Sequence, residues 1–144
     1  MAHEMVENDD TYQLDQLEDI GASVCQIVYN RLSSKAEKSF LPSLSKNNIG
    51  VIGRIPLAKG FLSGKYSPGH NFTDFHRSSF NKNFNDKLLQ RALDIKSSEV
   101  PSGINMSSWA LAWCLRNDSV SSIIPGAKNL NQLKSNALSS ELLK

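Results

Sequence analysis

The residues best suited to chemistry are a small-residue loop that ends in a cation, Gly60, Gly64 and Lys65, and an amide pair, Gln132 and Asn136, just past Lys128. Glycines let a backbone approach a ligand and an ammonium supplies charge, a common way to hold a phosphate. The spacing is not that of the Gly-x-x-x-x-Gly-Lys-[Ser/Thr] phosphate loop, because three residues separate Gly60 from Gly64 and Tyr66 follows Lys65. Two readings stay open for this stretch: a plain connection from strand to helix, and a ligand loop. Gln132 and Asn136 lie four apart and share a helix face. Gln132 reads as the third residue of an Asn-x-x-Gln cap on Asn129, or as half of an amide pair that reads a base or ribose. In the second reading Lys128 and the free helix N–H groups take a phosphate. A third amide, Gln26, interrupts an apolar stretch. It is either satisfied by backbone at a strand end or faces a ligand.

Other chemistries are poorly supported. The three histidines lack ligand spacing, which argues against zinc. Cys25 and Cys114 each sit in apolar surroundings and read as buried thiols rather than as a disulfide, a metal pair or a nucleophile. The 144-residue chain is large enough for one domain with a real core. Its net charge of +2 predicts no nucleic-acid or membrane field. Its apolar runs are too short to span a bilayer. The first ten residues are acidic, without an apolar leader, and read as disordered. These features predict a cytoplasmic globular protein.

The elements that must position these residues alternate between helix and strand. Leu14, Leu17 and Ile20 predict a short helix over 11–20, stopped by Gly21. Ser23 to Tyr29 reads as a strand. Ser34-x-x-Glu37 suggests a capping box, followed by a helix through Phe40, Leu41 and Leu44 that Pro42 kinks. Ile49 to Ile55 is a buried β-branched strand ended by Pro56. Residues 67–85 form a long polar loop that Phe72, Phe75 and Phe80 pin down. A helix covers 86 to about 97. After the turn at Val100–Gly103, Asn105 caps a helix whose stripe of Met106, Trp109, Ala110, Trp113 and Cys114 is core. Ser119 to Ile124 is a third strand, and a last helix carries Leu130, Leu133, Ala137 and Leu138. The order predicts a parallel sheet with crossover helices.

Three segments in register resemble the aldo-keto reductase family. Val51 to Tyr66 (Val-Ile-Gly-Arg-Ile-Pro-Leu-Ala-Lys-Gly-Phe-Leu-Ser-Gly-Lys-Tyr) is similar to its seventh-strand motif. Ser107 to Asn136 is similar to its last helix, strand and helix. Val24 to Leu32 is similar to its sixth strand. The resemblance covers about 11–143 and is strongest to the bacterial NADPH-dependent branch, which is related to potassium-channel β subunits. It implies an α/β fold, a partial (β/α)8 TIM barrel of about strands 6 to 8, with residues 11–144 as the C-terminal part of the reductase domain. It also implies an NADP(H) cofactor across the C-terminal strand ends. By position Gln26 would bind the nicotinamide carboxamide, and Arg54, Ile55, Pro56 and Leu57 would line the ring and diphosphate. Many relatives carry Tyr or Trp at the Arg54 position. Lys65 and Arg77 would meet the diphosphate, Gly126 and Lys128 the 2′-phosphate, and Gln132 and Asn136 the adenine. Ser135 stands where many relatives have Glu.

The family's acid–base tetrad of Asp, Tyr, Lys and His comes from strands two to four, and no part of this sequence matches it. No catalytic residue is therefore assigned, and the chain alone is expected to be inactive. The resemblance leaves three readings: a truncated reductase, half of a split enzyme completed by a chain carrying the N-terminal half, and a non-catalytic nucleotide-binding or assembly module. Unpaired sheet edges would favour a homodimer or such a complementing chain.

Overall fold

Val24–Val28 (β1), Gly50–Arg54 (β2) and Ser122–Ile124 (β3) form one parallel sheet in that spatial order. The structure, a computed structural model, describes residues 16, 17 and 19–143. The disorder expected for residues 1–10 and the start of the helix expected over 11–20 lie outside these residues. Gln16, Leu17 and Asp19 are helical, and Gly21 at φ +64° ends that turn as its sequence predicts. Parallel neighbours need crossovers, and helices supply them. Phe40–Lys46 (α1) joins β1 to β2. Phe75–Ser78 (α2), Lys82–Glu99 (α3) and Met106–Leu115 (α4) lie between β2 and β3, and Leu130–Leu138 (α5) follows β3.

The pleat divides the sheet's two faces. Cys25, Ile27 and Val51 point to the helices and are buried, while Val24, Gln26, Arg54, Ser122 and Ile124 are exposed on the opposite face. Gln26 is thus not inside an apolar layer, because no described element covers its side of the sheet. Tyr29, Phe40, Leu41, Leu44 and Val51 fill one half of the core. Phe61, Leu62, Leu89, Trp109 and Ala110 fill the other, and Trp113 touches both. Each large side chain fully buried here is worth about 1.5–3 kcal/mol of transfer free energy.

Several local expectations need correction. The Ser34 side chain makes no cap, and Glu37 instead accepts a hydrogen bond from the Tyr29 hydroxyl. Pro42 does not kink α1. It falls in the first helical turn, where its missing N–H has no intrahelical partner to lose. The third strand is shorter than expected: Val120 closes a turn on Asn117, and Ser121 binds Val51 through both its backbone N–H and its Oγ. The long loop is interrupted by α2, and Asn81 starts α3 at Lys82 by accepting the Asn83 N–H at 2.8 Å. Phe72 packs on Phe61 and Phe80 on Phe84, but Phe75 is 84 % exposed and pins nothing. On α4 the buried set includes Leu111 and Ala112, so this helix is core almost all round rather than on one stripe. On α5 no residue is buried.

Candidate functional site

The C-terminal ends of the three strands carry nearly all the residues singled out above. In parallel α/β sheets that end is where loops can gather around a ligand. The residues fall into two groups there, and among the described residues no hydrogen bond or ion pair joins one group to the other.

The first group follows β3. Asn129 caps α5 by accepting the Gln132 N–H at 2.9 Å, the Asn half of the expected Asn-x-x-Gln cap. The Gln132 side chain does more than a cap requires. Its Oε1 accepts the Lys128 N–H at 2.8 Å, and Asn136 Nδ2 donates to the Gly126 carbonyl at 3.3 Å. Gly126, Lys128, Gln132 and Asn136 are thereby held as one unit, a helix face folded back on the loop before it. The Lys128 side chain is exposed beside the helix N-terminus, which adds partial positive charge. Ser135 Oγ faces Ser108 Oγ at 3.2 Å, so it braces α5 on α4.

The second group spans the ends of β1 and β2. The register pairs Gln26 with Ile52 and Val28 with Arg54, which puts Gln26 and Arg54 on the same open face. Gln26 has no side-chain partner among the described residues. Beyond Arg54 the backbone departs from ordinary geometry. Ile55, Ala58, Lys59 and Gly60 all have positive φ, and Pro56 between them is fully buried. A β-branched residue at φ +56° is a genuine outlier. Lys65 is exposed in the loop that follows.

Arg77 is already engaged. Its guanidinium lies over the Tyr66 and Phe72 rings, 4.8 and 4.3 Å from their centroids, and pairs with Asp74 at 2.7 Å. A Cβ built on Gly60 would stand 3.3 Å from its Nη1, a tight approach that would shift the guanidinium slightly, and the φ of +92° there favours glycine. Burial pushes the Arg77 pKa down, but contacts with Tyr66 and Asp74 outweigh it and hold the pKa above the ordinary value. Asp74 has its carboxyl pushed up by burial, yet the hydrogen bonds and charge of Arg77 hold it below its ordinary value. Arg77 thus braces the loop against Gly60 while keeping its charge.

Sequence reasoning missed two anchors of this geometry. Asn30 is fully buried after β1, where its Nδ2 donates to the Ile55 carbonyl at 3.1 Å and its Oδ1 accepts the Leu32 N–H at 3.0 Å. Asn85 is buried on α3 and donates to the Arg77 carbonyl at 3.0 Å. The only signal was their type, since polar residues that end up buried need partners.

Tyr29 is fully buried, its hydroxyl held by Glu37 and by Asn117 Nδ2 at 3.4 Å. Burial first, and then the Glu37 hydrogen bond, raise its pKa. Both cysteines are buried free thiols, and burial pushes Cys114 up to about 12. Among the described residues no cluster of three or more His, Cys, Asp or Glu could hold a metal ion, and no helix is long and apolar enough to cross a membrane.

The model of the Aldo/keto reductase family matches residues 6–144. A probable voltage-gated potassium channel subunit beta of Arabidopsis thaliana is 33% identical over 129 residues, which are 85% of this chain and 39% of that protein. The Aldo-keto reductase yakc [NADP(+)] of Schizosaccharomyces pombe is 28% identical over 121 residues, 79% of this chain and 36% of that protein. The chain therefore spans less than two fifths of the length of these relatives. The solved glycerol dehydrogenase AKR11B4 from Gluconobacter oxydans superposes with a TM-score of 0.70 at 22% identity, covering 94% of this chain and 47% of that one. That likeness concerns the fold alone: the three parallel strands and their helices are part of a (β/α)8 barrel.

Proposed function

The chain belongs to the aldo/keto reductase family, and on that premise we propose that it carries the NADP(H)-binding part of a reductase that interconverts carbonyl compounds and alcohols. The observation that carries this reading is the unit made by Gly126, Lys128, Gln132 and Asn136. Two side-chain-to-backbone hydrogen bonds hold it together and leave the Lys128 cation exposed at a helix N-terminus. That donor set fits a phosphate monoester with an adjacent base, and a relative whose name carries NADP(+) agrees with it. The partnerless Gln26 amide and the positive φ of Ile55, Ala58, Lys59 and Gly60 fit the other end of an extended dinucleotide.

NADP(H), when bound, supplies the hydride chemistry. This chain's residues bind and orient it. Gln26 holds the carboxamide, and Arg54, Ile55, Pro56 and Leu57 line the ring and diphosphate. Lys65 and Arg77 compensate the diphosphate charge, Gly126 and Lys128 hold the 2′-phosphate, and Gln132 and Asn136 read the adenine. No described tyrosine serves as general acid, because Tyr29 is buried and tied to Glu37, and Tyr66 packs on Arg77. In the split-enzyme reading the general acid comes from a second chain that carries the N-terminal half of the barrel.

A second reading, association, rests on exposed apolar surface. The outer edges of β1 and β3 carry no further strand among the described residues, and Leu130, Leu133 and Leu138 are more than half exposed. A second copy or a chain with complementary βα units would cover them. Titration with NADPH, followed by tryptophan fluorescence with NADH as control, tests the main reading. Saturable binding that prefers NADPH, without turnover, is expected. Failure to saturate refutes it. Turnover on adding a chain that bears an Asp, Tyr, Lys and His tetrad separates the split enzyme from a non-catalytic module.

A further inference from the structure

The backbone at Ile55 is held where Ile does not go on its own. Positive φ crowds an L side chain, β-branching makes it worse, and a residue before proline is steered to extended backbone. Two hydrogen bonds clamp this exit of β2 to the end of β1: the Tyr29 N–H to the Arg54 carbonyl at 3.2 Å, and Asn30 Nδ2 to the Ile55 carbonyl at 3.1 Å. The Ile55 carbonyl also accepts the Ala58 N–H at 2.9 Å, which begins the turn. Asn30 is itself immobilised. Its backbone exchanges hydrogen bonds with Ser33 at 3.2 and 2.9 Å, and its Oδ1 is taken by the Leu32 N–H. It has no exposed surface, so its amide has no alternative partner in water.

We infer that Asn30 is the positioning residue of the Arg54–Leu57 segment, its side-chain donor keeping Ile55 in the positive-φ conformation that presents this segment at the C-terminal end of the sheet. The effect on cofactor affinity rests on the reading that this segment lines NADP(H). The effect on the loop does not.

Asn30→Asp keeps an acceptor for the Leu32 N–H and removes the donor to Ile55. Asn30→Ser is the neutral second variant, too short to reach Ile55, and stands in if the first does not fold by circular dichroism. Hydrogen exchange of the Ala58 and Gly60 amides reads the loop directly. Both variants are expected to exchange there about tenfold faster, and to bind NADPH about tenfold more weakly. Adding Ile55→Gly, which takes positive φ without strain, is expected to return the Ala58 amide toward the parent's exchange rate and to recover part of the lost thermal midpoint. A merely structural asparagine predicts that the two substitutions add, with Ile55→Gly shifting the midpoint equally in the parent and in the Asn30 variants. Unchanged Ala58 exchange in a folded variant, or Asn30 and Ile55 substitutions whose effects on the midpoint simply add, overturns the inference. If the parent chain binds no NADPH, the cofactor reading fails, while Ala58 exchange and the Ile55→Gly rescue of the midpoint still decide the role of Asn30.

Discussion

Replacing Lys128 with alanine is expected to weaken NADPH binding and leave NADH binding nearly unchanged. The side chain is exposed, and the loop around it is held through its backbone N–H by Gln132 Oε1, so the substitution removes a charge without releasing the turn. In water a pair of unit charges ~4 Å apart interacts by ~1 kcal/mol, so a dianionic phosphate would gain ~2 kcal/mol from the ammonium. A Debye length of ~8 Å at physiological salt and the ordering of a long side chain remove part of this. About 1–1.5 kcal/mol remains, which is roughly a five- to twelvefold increase in Kd. Fluorescence titrations of the parent and Lys128→Ala with both nucleotides measure it, and the NADPH difference is expected to shrink at high salt. Lys128→Arg is expected to retain most of the preference, because a guanidinium also binds phosphate. Equal weakening for NADH and NADPH would refute the reasoning, because it would assign Lys128 to the turn rather than to the 2′-phosphate.

Three further outcomes are expected. Gly64 and Gly69 both have positive φ, but a Cβ on Gly64 would stand 3.2 Å from Met106 Cβ and one on Gly69 would meet nothing within 4 Å. Thermal melts are expected to show Gly64→Ala lowering stability clearly more than Gly69→Ala, and equal losses would show that φ alone matters. Asn129→Ala removes the cap of α5 and is expected to cost ~1 kcal/mol and to weaken NADPH binding with it, as denaturant melts and titrations would show. The Cys114 thiol ionises at about 12 rather than at the ordinary 9.0, because burial and then the Glu37 charge disfavour the thiolate. The native state thus holds the proton longer than the unfolded one, so this group's contribution is intact below pH 9.0 and is lost as pH rises toward about 12. Urea melts across that window are expected to show the fall, and Cys114→Ala to flatten it.

Much of this molecule was legible from its residues. The β-branched runs bounded by proline, the apolar helical spacing between them, and the caps at Asn105 and Asn129 are local signals, and the parallel sheet follows from their alternation. The type and spacing of Lys128, Gln132 and Asn136 were equally local, because one helix turn brings i and i+4 together. The errors arose where distant partners decide. Phe75 looked like an anchor and is exposed, while Arg77 lies over two aromatic rings. Glu37 left its expected cap for the Tyr29 hydroxyl, eight residues earlier in the chain.

The sequence alone determined the alternation of strand and helix and the family, because each depends on short-range periodicity or motif. Only the tertiary structure decided which face of the sheet is open, that Gln26 stands free on it, and that Asn30 holds Ile55 in disfavoured backbone. Burial and strain depend on elements far apart in the chain, 25 residues apart for the Asn30–Ile55 hydrogen bond, and no local pattern encodes such a contact.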